Sequence, residues 1–173
     1  PALTREAFAS YRQKTIVGLN VEITAPLGDY DPEKVINFGA NRWSIAPEIG
    51  VSHRAGRFTV EGAASLIWFS DNDEYLGDST LSQEPLYVGR ANLLYHFKRR
   101  GTWIGIGTMY LSGGSTTVDG TDRNDLKIKS RTGIGLSLPI GTRHTLKFKY
   151  STGVTTRVGA DFDNYNIGYA LLF

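Results

Sequence analysis

Residues 162–173, FDNYNIGYALLF, decide how this chain is read. Tyr165, Ile167, Tyr169, Leu171 and Phe173 fall on one face of an extended strand, because successive strand side chains point to opposite sides. Asn164, Asn166, Gly168, Ala170 and Leu172 make a smaller, more polar second face. Such alternation marks a strand whose two faces meet different surroundings. A soluble antiparallel sheet and a barrel in lipid both provide that, so the rest of the chain must choose.

The same period of two recurs upstream. In residues 12–27, Val17, Leu19, Val21, Ile23, Ala25 and Leu27 alternate with Gly18, Asn20, Glu22 and Thr24. In 42–53, Trp43, Ile45, Ile49 and Val51 oppose Arg42, Ser44, Glu48 and Ser52. Pro47 lies on the apolar face and lacks an amide, which predicts a bulge or kink. Phe58, Val60, Ala64, Leu66 and Trp68 oppose Thr59, Glu61, Ala63 and Ser65. In 86–97, Tyr87, Ala91, Leu93, Tyr95 and Phe97 face one way and Arg90, Asn92 and His96 the other. A fifth strand, 103–112, carries Ile104, Ile106 and Tyr110 on its apolar face. The sixth sets Leu126, Ile128, Ile134, Leu136 and Leu138 against Lys127, Lys129, Arg131 and Ser137. The seventh sets Leu146, Phe148, Tyr150 and Val154 against Lys147, Lys149, Ser151 and Arg157. Helical character is confined to residues 1–11, where Thr4 can cap and Ala7, Phe8 and Tyr11 share a face.

Eight strands of about ten residues match a tilted bilayer crossing, whereas strands of soluble proteins average about five or six. Long connections follow the first, third and fifth strands and short ones the second, fourth and sixth, the asymmetry of outer-membrane barrels. With residue 173 at the periplasmic end, the acidic stretches at 29–33, 71–74 and 119–125 all fall outside. Trp43, Trp68, Tyr87 and Tyr110 then lie near the outer interface, and Phe58, Tyr95, Phe97, Trp103 and Phe173 near the inner one, as two anchoring girdles. The expected fold is all-β, an antiparallel up-and-down transmembrane β-barrel in a bacterial outer membrane. A soluble lipocalin-like barrel would turn its apolar face inward instead.

Composition removes other classes. The chain has 173 residues, enough for one domain, and no cysteine, which excludes disulfides and thiolate metal sites. A formal net charge of +2, without a basic-aromatic run, argues against nucleic acid as a partner. A mean hydropathy of −0.23 excludes a helical membrane protein but not a barrel, whose strands show only half their residues to lipid.

The alternation also assigns the charges. An Arg or Lys on the lipid face near the midplane costs about 2–4 kcal/mol, so Arg90, Lys127, Lys129, Arg131, Lys147, Lys149 and Arg157 are expected inside, with Glu22, Glu48 and Glu61. Folding the last hairpin about its turn sets Arg157 level with Lys127 and Lys129, Lys147 and Lys149 lower, and brings the three glutamates close together. Such charges can pair and plug a structural barrel, or line a water-filled lumen that favours anions. The excess of base over acid favours the lumen. His53, His96 and His144 lack metal-ligand spacing, and no G-x-S-x-G signature is present. Hence no enzyme activity, cofactor or metal is expected.

The terminal aromatic on an apolar strand face resembles the C-terminal assembly signal of outer-membrane barrels. It implies the barrel-assembly machinery, outer-membrane lipid and lipopolysaccharide as partners. YRQKT (11–15), TAPLGDYDPEKVINFGANRWSIAPEIG (24–50), DNDEYLG (71–77), EPLY (84–87) and GGSTTVDGTDRND (113–125) resemble the meta-pathway phenol-degradation family of outer-membrane β-barrel transporters. The resemblance runs along essentially the whole chain and is most specific in 24–50. It implies a Gram-negative channel or transporter for passive uptake of small solutes, aromatic compounds among them, and carries no catalytic motif. Family members are longer, with further strands ahead of residue 1, so residues 1–173 are expected to form the C-terminal portion of one larger barrel domain.

Overall fold

Two-residue alternation builds a sheet when every strand finds a neighbour on each side, and the computed structural model, which describes residues 14–172, follows that rule. The strands are β1 (Thr15–Thr24), β2 (Ser44–Ala55), β3 (Phe58–Phe69), β4 (Asn72–Tyr75), β5 (Ser79–Gln83), β6 (Leu86–His96), β7 (Trp103–Gly113), β8 (Thr116–Val118), β9 (Thr121–Asp122), β10 (Lys127–Ile140), β11 (His144–Thr156) and β12 (Asn164–Leu171). The long strands form one eight-stranded sheet, ordered β1-β2-β3-β6-β7-β10-β11-β12 and antiparallel at every step. Among the described residues, β1 and β12 are its two edges and do not pair with each other. The expected helix at 1–11 and the terminal Phe173 lie outside the described residues.

The short turns at one end each place a glycine at positive φ, Gly56 (61°), Gly101 (79°) and Gly141 (65°), where a tight reversal excludes most side chains. Pro47 makes neither a bulge nor a kink in register. The pairs Ile45↔Trp68 and Glu48↔Ser65 belong to one unbroken register, and the ladder omits only the two steps between them. A missing amide removes a hydrogen bond, but strong pairing on both sides holds the strand in place.

Burial is inverted relative to a soluble domain. Leu86, 9% exposed, is the buried hydrophobic residue among those described. Leu19, Ile49, Val60, Ile106, Ile134 and Ile167 are all exposed, on the sheet face that also carries Trp68, Tyr87 and Tyr110. A lipocalin-like arrangement would bury these side chains, so the soluble barrel is ruled out. The apolar face is the one that meets lipid.

At the opposite end from the glycine turns, the connections from β3 to β6 and from β7 to β10 are not irregular loops. Their polar, β-branched segments pair as a second sheet, ordered β4-β5-β8-β9. The connection between β1 and β2 docks on it through Asn72, only 2% exposed. The Asn72 amide donates to the Tyr30 hydroxyl (2.9 Å), and its carbonyl accepts from Asn41 (3.0 Å) and the Glu74 amide (3.1 Å). Glu74 accepts from Asn41 (2.8 Å) and Asp73 from Thr80 (3.2 Å), so the acidic stretch at 71–74 is bonded into this end of the structure.

The outward face yields a direct test. Ile134→Arg, midway along β10, is expected to destabilise the full-length protein in lipid vesicles by about 2–4 kcal/mol, read from urea titration of folding. Lys149→Arg, on the other face, is expected to leave the midpoint unchanged.

Candidate functional site: the charged concave face

The polar half of each strand forms the other face of the sheet. Glu61 on β3 and Asn166 on β12 line one cavity of about 680 Å³, together with Arg90, Asn92, Arg131 and Lys149. β3 and β12 lie five steps apart in the sheet order, which on a flat sheet is about 24 Å. The sheet therefore curls, and the polar face is its concave side.

On the acidic side, Glu48 pairs with Arg90, which reaches across β3 to make the contact. The register shows why the reach is open: Ala63 stands opposite Arg90 and Ser65 opposite Glu48, both too short to block it. Glu61 accepts from Asn92 (3.4 Å) and weakly from Ser52 (3.5 Å). Glu22 sits on β1 opposite Ala46, one inward position from Glu48, so the three glutamates descend across β1–β3 as a diagonal.

On the basic side, β10 presents Lys127, Lys129 and Arg131 inward, opposite Gly113, Leu111 and Met109 of β7. Lys147 and Lys149 on β11 face the same way, opposite Ser137 and Gly135. Arg157 does not join them. The β10–β11 register shifts between Ser130 and Arg131, so that Arg131 pairs with Gly153 but Ser130 with Thr155. The extra residue reverses the facing beyond it. The Arg157 amide bonds the carbonyl of Ile128 (2.9 Å), which places Arg157 on the outer face at the strand end. Trp103 also departs from expectation: it lines the concave cavity and is no part of an interfacial girdle. Its ring lies 3.1 Å from where a Cβ on Gly135 would stand.

At the long-connection end, hydrogen bonds that sequence reading did not foresee tie the neighbouring connections together. The Arg42 guanidinium donates to Gln83 (2.5 Å) and lies over the Phe69 ring (4.7 Å). Gln83 and Lys127 both donate to the Gly114 carbonyl (3.2 and 2.6 Å). Lys127 also stands 3.6 Å from Asp125, whose carboxylate accepts from the Thr116 amide (2.7 Å) and hydroxyl (2.9 Å). The three histidines each bond a hydroxyl on a neighbouring strand: His53 with Thr15 (2.7 Å), His96 with Thr59 (2.9 Å) and His144 with Tyr169 (2.6 Å). These are strand-to-strand ties.

A concave charged face under an apolar outer face is the wall of a β-barrel that meets lipid outside. The family model described as "Putative MetA-pathway of phenol degradation" matches residues 6–169. The chain belongs to this family. Its fold is similar to the crystal structure of an outer-membrane channel from Pseudomonas putida F1, with a TM-score of 0.78 and 24% identity over 99% of the chain. The chain spans 62% of that channel's length. No curated protein matches the chain. The family member thus has an antiparallel outer-membrane β-barrel fold, and that fold and its outward apolar face place it in the bacterial outer membrane.

Asp125 gives the mouth a pH limit. Partial burial pushes its carboxyl up, but the Thr116 amide, the Thr116 hydroxyl and Lys127 pull it further down, leaving it below the ordinary carboxylate value. A depressed carboxyl stabilises the folded arrangement above its unfolded pKa of about 3.9 and loses that contribution as pH falls through the folded value. Hydrogen-exchange protection of the Thr116 amide is therefore expected to hold at pH 5 and to fall below about pH 3.9. Asp125→Asn should remove the pH dependence.

Proposed function

We infer that the family member forms part of a passive channel for small anionic solutes, aromatic carboxylates among them, and has no enzymatic role. The observation that carries this reading is electrostatic. Among the described residues, Lys129, Lys147 and Lys149 face the concave side with no carboxylate within 4.0 Å. A fixed cation with no fixed anion draws mobile anions from water, and a row of them biases the traffic through a narrow passage.

The solute path in this proposal runs past Arg90, Lys127, Lys129, Arg131, Lys147 and Lys149, with Glu22, Glu48 and Glu61 on the opposing wall. The acidic strands β1–β3 and the basic strands β10 and β11 are separated by β6 and β7 in the sheet. Complementary charges held apart give a transverse field where pairing would give a plug. The pairs Arg90–Glu48, Lys127–Asp125 and Arg131–Asp161 fit the alternative, a barrel closed by its own charges, but they leave Lys129, Lys147 and Lys149 without a carboxylate among the described residues. Trp103 and Met109 in the cavity wall supply apolar contact for a ring.

Two partners follow from the same reading. Tyr165, Ile167, Tyr169 and Leu171 share the outward face of β12 and serve, with Phe173, as the strand the barrel-assembly machinery reads. The second sheet and its connections would face lipopolysaccharide. Planar-bilayer recording from the full-length protein tests the channel itself. Discrete openings with an anion-leaning reversal potential are expected, and Lys147→Glu with Lys149→Glu should shift that potential toward cations. An unshifted potential would sink the basic-wall reading.

A further inference from the structure

The connection between β11 and β12 does not stand away from the sheet; it folds onto the concave face. Two glycines make the room. A Cβ on Gly153 would collide with the Asp161 carboxylate, and one on Gly159 would come within 2.6 Å of the Lys129 ammonium. Gly159 also holds a φ of 91°, which a side chain would strain. The fold of this link brings the Phe162 carbonyl and ring to Arg131, which also bonds a carbonyl of β11. The Phe162 carbonyl accepts from its Nη2 at 2.6 Å, the Ser151 carbonyl accepts from the same nitrogen at 3.2 Å, and the Phe162 ring lies 4.3 Å from the guanidinium carbon.

The remaining contact differs in kind. Asp161 stands 3.8 Å from Nη1, near enough for attraction but too far for a hydrogen bond. Its side chain is 55% exposed, whereas that of Arg131 is 18% exposed. Arg131 is therefore anchored and oriented by main-chain carbonyls, while its Nη1 donors face a loosely held carboxylate. Guanidinium forks bind carboxylates most strongly through short, charge-assisted and often paired hydrogen bonds, and Asp161 makes none here. Arg131 also lines the 680 Å³ cavity, so a solute there can reach it.

Resting on the anion-channel reading above, the geometry points to Arg131 as a carboxylate-binding site in the lumen, with Asp161 as a tethered competitor. A small organic monocarboxylate displaces Asp161 from Nη1 and takes the hydrogen bonds that Asp161 leaves unmade. The Phe162 ring beside the guanidinium favours a solute with an aromatic ring. Asp161 thus keeps Arg131 from holding an anion too tightly to release it, since conduction requires entry and exit alike.

Titration of the detergent-folded full-length protein with sodium benzoate, followed by calorimetry, tests the site without relying on conduction. Asp161→Asn is expected to tighten benzoate binding about fivefold, the scale of losing one part-exposed competing ion pair. Gly153→Ala should act in the same direction by displacing Asp161 with its charge intact. Arg131→Gln should abolish binding, alone or combined with Asp161→Asn. Unchanged affinity in both Asp161→Asn and Gly153→Ala, or benzoate binding that survives Arg131→Gln, overturns the proposal. Reversal potentials separate the two ideas. A cation-leaning or silent wild-type channel defeats the anion-channel reading, whereas an anion-leaning channel with benzoate affinity indifferent to Asp161 defeats only this one.

Discussion

In hydrocarbon an unpaired backbone N–H or C=O costs several kcal/mol, so a chain that crosses as strands must pair each strand sideways along its whole length. The rest of this structure depends on that constraint. It explains why the registers run unbroken over ten or more residues between most neighbours. It also explains why Pro47 is absorbed without a register shift: one missing hydrogen bond is cheaper than moving every later pair. The constraint stays open at β1 and β12, whose outer edges have no described partner. Exposed edges of that length cannot persist in lipid. Closure therefore needs either those two strands to meet or further strands between them.

Sideways pairing then dictates the chemistry of the two faces. With the period fixed at two, every residue is assigned to lipid or to lumen, and no third environment exists to hide a side chain in. Apolar residues go outward and are exposed there, which is why Leu86 makes up so little of a core. Charged residues go inward, and their partners are limited to what the facing strands carry. Arg90 finds Glu48 because Ala63 and Ser65 between them are small. Lys147 and Lys149 meet Ser137, Gly135, Gly168 and Asn166, none of which can neutralise them. Their charges are left to water.

Much of this was legible because alternation is local: any five residues of a strand reveal its phase. The facing of Arg90, Lys127, Lys129, Arg131, Lys147 and Lys149 could be read in that way, as could those of the three glutamates. Arg157 could not. Its facing is reversed by one extra residue in β11, set by how β10 pairs with it, and VTTR offers no local sign of the shift. Trp103 differs for another reason. It is out of phase with Ile104 and Ile106, and in a strand that phase prevails over the preference of tryptophan for interfaces. The second sheet was hidden because its strands are short and polar and its two hairpins join through β5 and β8, some thirty-five residues apart. Only the outer ends of β3, β6, β7 and β10 bring those segments together.

The inner wall has relief as well as charge, and glycine supplies it. Gly105 pairs with Gly135 and Gly107 with Gly133 across β7 and β10, all on the concave side. Four missing side chains at the centre of the wall let neighbours lie down along it. The Trp103 ring lies against Gly135, Asn92 leans into the space above Gly107, and Ser151 occupies that above Gly133. Had these positions carried side chains, the indole and the amide would stand up into the passage and narrow it. The same device at Gly153 admits Asp161 to the face of Arg131. Sheet pairing thus sets where the wall runs, side-chain phase sets its charge, and the inward glycines set how much of its width is left open.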